Sequence, residues 1–116
     1  MKIVTKGKPI SQVRLTPMAT KMYGSLVKAV VDIELEIMVI DADLHADQEK
    51  YLVETGSTQK NLWGINLYPH LYGQDGFIEF DSMINLRPVA GNFSRGVDDE
   101  MIQQKIRQII GELVCD

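Results

Sequence analysis

Residues 27–40 of the chain read VKAVVDIELEIMVI, and this stretch decides the predicted fold. From Ala29 to Val39 every second residue is apolar, and acidic residues occupy three of the positions between them. A period of two is typical of a β-strand, in which successive side chains point to opposite faces. The run is longer than a typical strand of about six residues, so we predict a hairpin that turns near residues 34–36.

The segment before the hairpin is predicted to be a short extended start followed by a helix. Thr16 and Pro17 are typical of an N-cap and a first helical position, so one interpretation begins the helix there and ends it at about Gly24. The alternative begins the helix at Ser11 and treats Pro17 as a kink.

Two more helices are predicted after the hairpin. We expect Asp47 to cap a short helix that ends at Glu54, with Gly56 in the C′ position that favours a left-handed backbone. We expect Asp98 to cap the last helix, because the clearest apolar stripe in the chain begins just after it. The stripe consists of Ile102, Ile106, Ile109 and Leu113, widened by Met101 and Ile110.

Two further strands lie between these helices. Residues 62–68 predict a third strand that Pro69 ends, and residues 77–87 predict a fourth strand that Pro88 ends. The predicted order is therefore α-ββα-ββα. The sequence predicts a single α+β domain over residues 1–116, with a four-stranded, mainly antiparallel sheet and three helices.

Composition and charge argue against several classes of function. Twelve Lys and Arg are outnumbered by sixteen Asp and Glu, and no basic run stands out, so we do not expect nucleic acid as a partner. No apolar run approaches the roughly 20 residues that span a bilayer, and the first residues lack the apolar stretch of a secretory signal, so we expect no membrane association. Cys115 is the only cysteine, which excludes an internal disulfide and favours a cytoplasmic location.

The predicted fourth strand carries most of the candidate polar site. In an extended chain its polar residues share one face, at about 6.6 Å per two residues. The glycine-containing loop after Pro88 can return further polar side chains over that face. The candidate ligand-binding residues are His45, Glu79, Asp81, Asn85, Arg87, Asn92 and Arg95.

Two interpretations of this cluster stay open. Glu79 and Asp81 can chelate a cation or act as acid and base, which makes the cluster a ligand site. Alternatively, Arg87 and Arg95 pair with these carboxylates, and the cluster is a structural network of ion pairs or an ordinary solvated face. A ligand site requires polar groups aimed into an unoccupied concave pocket, whereas a network has every group already paired.

A second polar stretch, residues 41–47, combines three aspartates with His45. Carboxylates and an imidazole suit a divalent metal, but the spacing matches neither a calcium loop nor a zinc-binding helix. The simpler interpretation is a strand end followed by the cap of a helix. No motif identifies a cofactor or a nucleophile, so the sequence assigns neither a cofactor nor a metal.

Five segments together resemble an uncharacterised family of bacterial and archaeal proteins, common in cyanobacteria, which is a domain of unknown function. These segments are residues 27–32, 43–47 (DLHAD), 62–69 (LWGINLYP), 77–88 (FIEFDSMINLRP) and 91–95. The resemblance covers nearly the whole chain and supports a single cytoplasmic domain, but it brings no established activity. Pro17 in the first helix departs from the family pattern.

Two functional hypotheses follow. Between residues 27 and 44 both strand faces carry apolar groups, which favours a binding or self-assembly module that uses its sheet surface, with a second copy of the chain as one partner. The alternative is a small metal-dependent or acid/base enzyme with a polar site on the fourth strand and the following loop. We prefer the binding module, because no catalytic residues occur at a recognised spacing.

Overall fold

The computed structural model describes residues 1–22 and 24–116. The elements, in chain order, are β1 (Lys2–Val4), β2 (Ile10–Ser11), α1 (Gln12–Met22), β3 (Val27–Asp32), β4 (Ile37–Ile40), α2 (His45–Glu54), β5 (Leu62–Leu67), β6 (Ile78–Glu79), α3 (Glu100–Leu113) and β7 (Val114–Cys115). Short 3-10 turns cover Gln59–Asn61, Pro69–Leu71, Asp75–Phe77, Met83–Asn85 and Pro88–Ala90. Over the described residues the fold is α+β with three α-helices, as the sequence predicts.

Within residues 1–22 and 24–116, the main sheet has five strands in the order β1-β4-β3-β5-β6, and every neighbouring pair is antiparallel. The prediction of four strands is therefore wrong, because the short extended start contributes β1, which pairs with β4. A separate two-stranded parallel pair joins β2 to β7 near the two ends of the chain. These additions also change the predicted element order.

The hairpin predicted for residues 27–40 is confirmed, and its turn contains no glycine. The Asp32 carboxylate accepts the backbone N–H groups of Glu34 and Leu35, each at 2.9 Å. Glu36 then adopts a left-handed backbone with φ of 57°. The side chain of Asp32 thus supplies the turn geometry that Asn-Gly usually provides.

Both faces of the central strands are covered. On one face, side chains of β3, β4 and β5 pack with α1 and α3 in a first apolar core that includes Leu15, Val31 and Ile106. On the other face, Val30 packs with Leu52 of α2 in a second, smaller core. Because helices lie on both sides, the sheet has no open apolar face at its centre.

The first helix begins at Gln12, so the start predicted at Thr16 is wrong and the alternative start at Ser11 is confirmed. The Ser11 hydroxyl accepts the N–H of Val13 at 3.3 Å, as an N-cap does. Pro17 lies inside the helix. The Thr-Pro signal misleads because Pro17 is the sixth of the eleven residues of α1: it lacks the N–H that would bond to the carbonyl oxygen of Val13, yet the helix continues through it.

The caps predicted for the other two helices are also displaced. Helix α2 begins at His45 after the extended residue Leu44, and Asp47 lies in its first turn instead of at its cap. Its predicted end at Glu54 and the positive φ of Gly56, 118°, are confirmed. Two consecutive aspartates, Asp98 and Asp99, precede α3.

Asp99, not Asp98, caps α3 by accepting the N–H of Met101 at 2.8 Å. Asp98 instead accepts the N–H of Phe93 at 2.7 Å, across the preceding loop. The predicted stripe of α3 is buried from Ile106 onward, whereas Met101 is 80% exposed.

The fourth strand predicted for residues 77–87 is wrong. Only Ile78 and Glu79 pair with β5, and the chain then forms the 3-10 turns of residues 83–85 and 88–90. Its polar residues therefore do not share one strand face. The alternation that predicts a strand arises here from side chains that dock individually onto the edge of β5.

Candidate functional site

The edge of β5 is completed by side chains instead of a strand. The carboxamide of Asn85 accepts the N–H of Gly64 at 2.8 Å and donates to the carbonyl oxygen of Gly64 at 3.0 Å. Further along the same edge, the Arg87 guanidinium donates to the carbonyl oxygen of Leu62. Residues 85 and 87 thus provide the hydrogen bonds that a longer β6 would have made.

Gly64 allows this segment to lie directly against the sheet. A Cβ atom at position 64 would lie 2.5 Å from Oγ and 2.6 Å from Cβ of Ser82. Any side chain would therefore push the segment away from β5 and separate Asn85 from its partners.

The loop after Arg87 is organised by Asn92. This buried side chain donates to the backbone oxygens of Asn85, Ser94 and Gly96, at 2.7, 3.1 and 2.9 Å. Its own oxygen accepts the N–H of Asp98 at 2.8 Å. The polar atoms of Asn92 are consequently engaged in holding the loop in shape.

Arg87 connects the loop to the rest of the domain. Its Nε donates to the carbonyl oxygen of Ile84 at 3.1 Å, and its Nη2 lies 3.5 Å from a Glu49 carboxylate oxygen. The guanidinium stacks 4.8 Å from the centre of the Trp63 ring. Burial lowers the pKa of Arg87, and the Glu49 carboxylate opposes this effect.

Glu79, Asp81 and Arg95 lie on the other side of the docked segment. Glu79 accepts hydrogen bonds from Nδ2 of Asn66 and from the hydroxyl of Tyr68, both at 2.9 Å. Asp81 forms an ion pair of 2.7 Å with Arg95. Both carboxylates therefore have protein partners.

His45 is buried at the start of α2, where it lines a cavity of about 190 Å³ together with Ser82 and Arg95. Its Nε2 lies 2.7 Å from the carbonyl oxygen of Ile65. A carbonyl only accepts, so Nε2 carries the proton and Nδ1 is the unprotonated nitrogen of the neutral ring. Burial lowers the pKa of His45, against the opposing effect of this hydrogen bond.

A second cavity, which we call the Trp63 cavity, has a volume of about 600 Å³. It lies between the 3-10 turn of residues 59–61, the loop of residues 88–91 and the start of α3. Trp63, Val89 and Ile102 provide apolar surface, and Lys60 and Arg87 provide positive charge. Of the seven predicted site residues, Arg87 and Asn92 line this cavity, whereas His45 and Arg95 line the smaller one.

The family is established by sequence comparison. A family model described as "Protein of unknown function (DUF5674)" matches residues 2–113. The chain belongs to the DUF5674 family. Comparison with curated proteins and with solved structures gives no match to this DUF5674 chain.

The described residues of this DUF5674 domain contain no group of three or more His, Cys, Asp or Glu side chains that could hold a metal ion. The aspartates of residues 41–47 therefore do not gather around His45 as a metal site would require. In the same part of the chain, no helix combines the length and the apolar character that crossing a membrane requires.

Sequence reasoning missed Trp63 and Lys60. Trp63 lies within the predicted strand of residues 62–68, and every residue of β5 is buried, so its position predicts only a core residue. Two features of the sequence could have pointed to Trp63. It is the only tryptophan of the DUF5674 chain, and it precedes a glycine within a strand. Lys60 lies in a turn that no pattern marks, and only the folded chain brings it to the cavity.

Proposed function

We propose that this DUF5674 domain is a binding module for a small organic molecule, and that the Trp63 cavity is its site. The observation that carries the proposal is the cavity itself. Its volume of about 600 Å³ lies within the range of small-molecule sites, about 300 to 1,000 Å³. An aromatic ring, aliphatic side chains and a few charged groups form its lining, as is typical of such sites.

The rigidity of the cavity wall supports the proposal. Arg87 and Asn92 exchange two backbone hydrogen bonds, at 2.9 and 3.0 Å, across the loop that forms one wall. Gly91 closes this loop with a left-handed backbone, φ 84°. A wall fixed by its own hydrogen bonds loses little conformational entropy when a ligand binds.

This proposal moves the binding surface away from the sheet faces, since helices cover both. It is supported over the enzyme alternative by the partners of Glu79 and Asp81. Glu79 is engaged with Asn66 and Tyr68, and Asp81 with Arg95. No carboxylate of the predicted cluster is therefore left unpaired to act as a base. We also propose a cytoplasmic location, supported by the single cysteine.

Self-association is a second candidate function, favoured by the exposed apolar side chains near the same cavity. Val89 is fully exposed, Phe93 is 70% exposed and Leu86 is 42% exposed. Side chains of this kind are typical of partner surfaces. Sedimentation at low micromolar concentration tests this candidate: a strict monomer contradicts it, whereas a dimer that Val89→Asp dissociates supports it.

The binding proposal can be tested by tryptophan fluorescence, because Trp63 is the only tryptophan and lines the cavity. We expect members of a small-molecule library to change the emission of Trp63 and to raise the melting temperature. Ala90→Phe fills the Trp63 cavity and should abolish both effects. Ala46→Phe is the matched control, because Ala46 lines the smaller His45 cavity instead. Equal binding by wild type and Ala90→Phe would contradict the proposal.

A further inference from the structure

Three polar groups of the Trp63 cavity share one character: they donate hydrogen bonds. Nε1 of Trp63 is buried without a hydrogen-bond partner. Lys60 makes no ion pair or hydrogen bond with the residues that the structure describes. Arg87 uses Nε and Nη2 for its contacts, which leaves Nη1 without a hydrogen bond to the described chain. None of the three groups can accept a hydrogen bond.

An unpaired donor at a buried position is costly. A buried N–H without an acceptor lacks the hydrogen bond that it makes with water in the unfolded chain, so the Trp63 N–H favours any group that can supply an acceptor. Lys60 adds a preference for negative charge, whereas the charge of Arg87 is partly balanced by the Glu49 carboxylate at 3.5 Å. Among the described residues that line the cavity, Asp99 is the only carboxylate, and it already accepts the N–H of Met101 as the cap of α3.

From these groups we infer that the ligand is a small organic anion with an apolar body. Its carboxylate or phosphate oxygens accept from Lys60, Arg87 and Trp63, while its apolar part packs against Val89 and Ile102. Charge-assisted hydrogen bonds of this kind are the stronger ones in proteins. The inference rests on the proposed function, since it names the class of molecule that enters the same cavity.

Calorimetric titration with matched probes tests the inference. We use 3-phenylpropionate and phenyl phosphate as anions, 3-phenylpropanamide as a neutral analogue and 3-phenylpropylamine as a cation. We expect both anions to bind at millimolar concentration or below, at least about tenfold more tightly than the amide, and the amine to bind most weakly. Added salt should weaken only the anions.

Two lysine variants assign the preference to the cavity. Lys60→Gln should reduce the affinity for the anions about tenfold and leave the affinity for the amide unchanged. Lys50→Gln is the matched control, since Lys50 is an exposed lysine of α2 outside the cavity. Trp63→Phe should also weaken anion binding, because the phenyl ring keeps the apolar surface but lacks the N–H.

The outcomes separate the inference from the proposed function. If neutral probes bind as tightly as anions, and Ala90→Phe abolishes this binding, the inference is overturned and the proposed function stands. If Lys60→Gln and Lys50→Gln reduce the affinity for the anions to the same extent, the inference is also overturned. The preference for anions would then be a property of the overall charge of the protein. If no probe and no library member binds the cavity, both proposals fail.

Discussion

At the scale of single residues, the contact between Gly64 and Ser82 determines whether the segment of residues 80–87 can dock. The absent Cβ of Gly64 leaves room for the hydroxyl of Ser82, which caps the 3-10 turn by accepting the N–H of Ile84 at 3.3 Å. The docked position in turn places Asn85 and Arg87 beside β5. The shape of the Trp63 cavity therefore depends on a glycine that does not line it.

We expect Gly64→Ala to destabilise the protein by about 1 to 3 kcal/mol, because the new methyl group overlaps with Ser82. Urea unfolding measures this loss. Gly111→Ala is the matched control: nothing lies within 4 Å of a Cβ at this helical position, so alanine should stabilise α3 by roughly 0.5 to 1 kcal/mol. Adding Ser82→Gly should recover part of the loss in Gly64→Ala. Additive effects of the two changes would contradict the proposed overlap.

At the scale of elements, the hairpin turn is held to the helical layer by ion pairs. Glu36 forms ion pairs with Lys6 and Lys105, and Lys6 also lies 2.9 Å from Glu112 of α3. Hydrogen bonds from the two lysines lower the pKa of Glu36 to about 2. The turn between β3 and β4 is consequently coupled to α3 and to the segment after β1.

This coupling gives stability a pH dependence with a defined direction. The folded-state pKa of Glu36 is lowered from 4.5 to about 2, so its contribution is present above pH 4.5 and is lost as the pH falls towards 2. Urea unfolding should show Glu36→Gln to be less stable than wild type at neutral pH and equally stable near pH 2. Glu34→Gln, at an exposed glutamate of the same turn, should show no such convergence.

The sequence predicts some of these elements correctly and not others. Period-two alternation identified the hairpin of residues 27–40, because backbone pairing produces that pattern directly, and the short run before Pro69 identified β5. Residues 77–87 show a similar alternation for a different reason, since Asn85 and Arg87 dock by their side chains. Periodicity cannot separate these two causes. The predicted cluster of site residues is divided between separate contacts and cavities, because residues 77–87 do not form one strand. Lys60 reaches the Trp63 cavity only through the long-range folding of the chain.

At the scale of the whole molecule, the parallel pairing of β2 with β7 joins residues that are more than 100 positions apart. Ile10 pairs with Val114 and Ser11 with Cys115. Ile10 and Val114 are both buried, and both belong to the first apolar core. Long-range pairs of this kind close the fold around α1 and α3.

Replacing both members of this pair should give a non-additive effect. We expect Ile10→Ala to cost about 2 to 5 kcal/mol, and a double-mutant cycle with Val114→Ala should give a coupling of about 0.5 to 3 kcal/mol by urea unfolding. Val39, in the second core, supplies the control, because Ile10→Ala and Val39→Ala should add. Equal coupling in both cycles would show that the pairing of β2 and β7 has no specific energetic role.

The hydrogen bonds from the side chains of Asn85 and Arg87 to β5 also have a consequence for the behaviour of the protein at high concentration. An apolar strand with a free backbone edge is a template onto which strands of other molecules can add, which is the first step of aggregation. The Asn85 carboxamide occupies the N–H and the C=O of Gly64 at once, and it offers no further backbone on which a ladder could grow. The side chains of Asn85 and Arg87 therefore end the sheet at this edge and protect it against the addition of strands from other molecules.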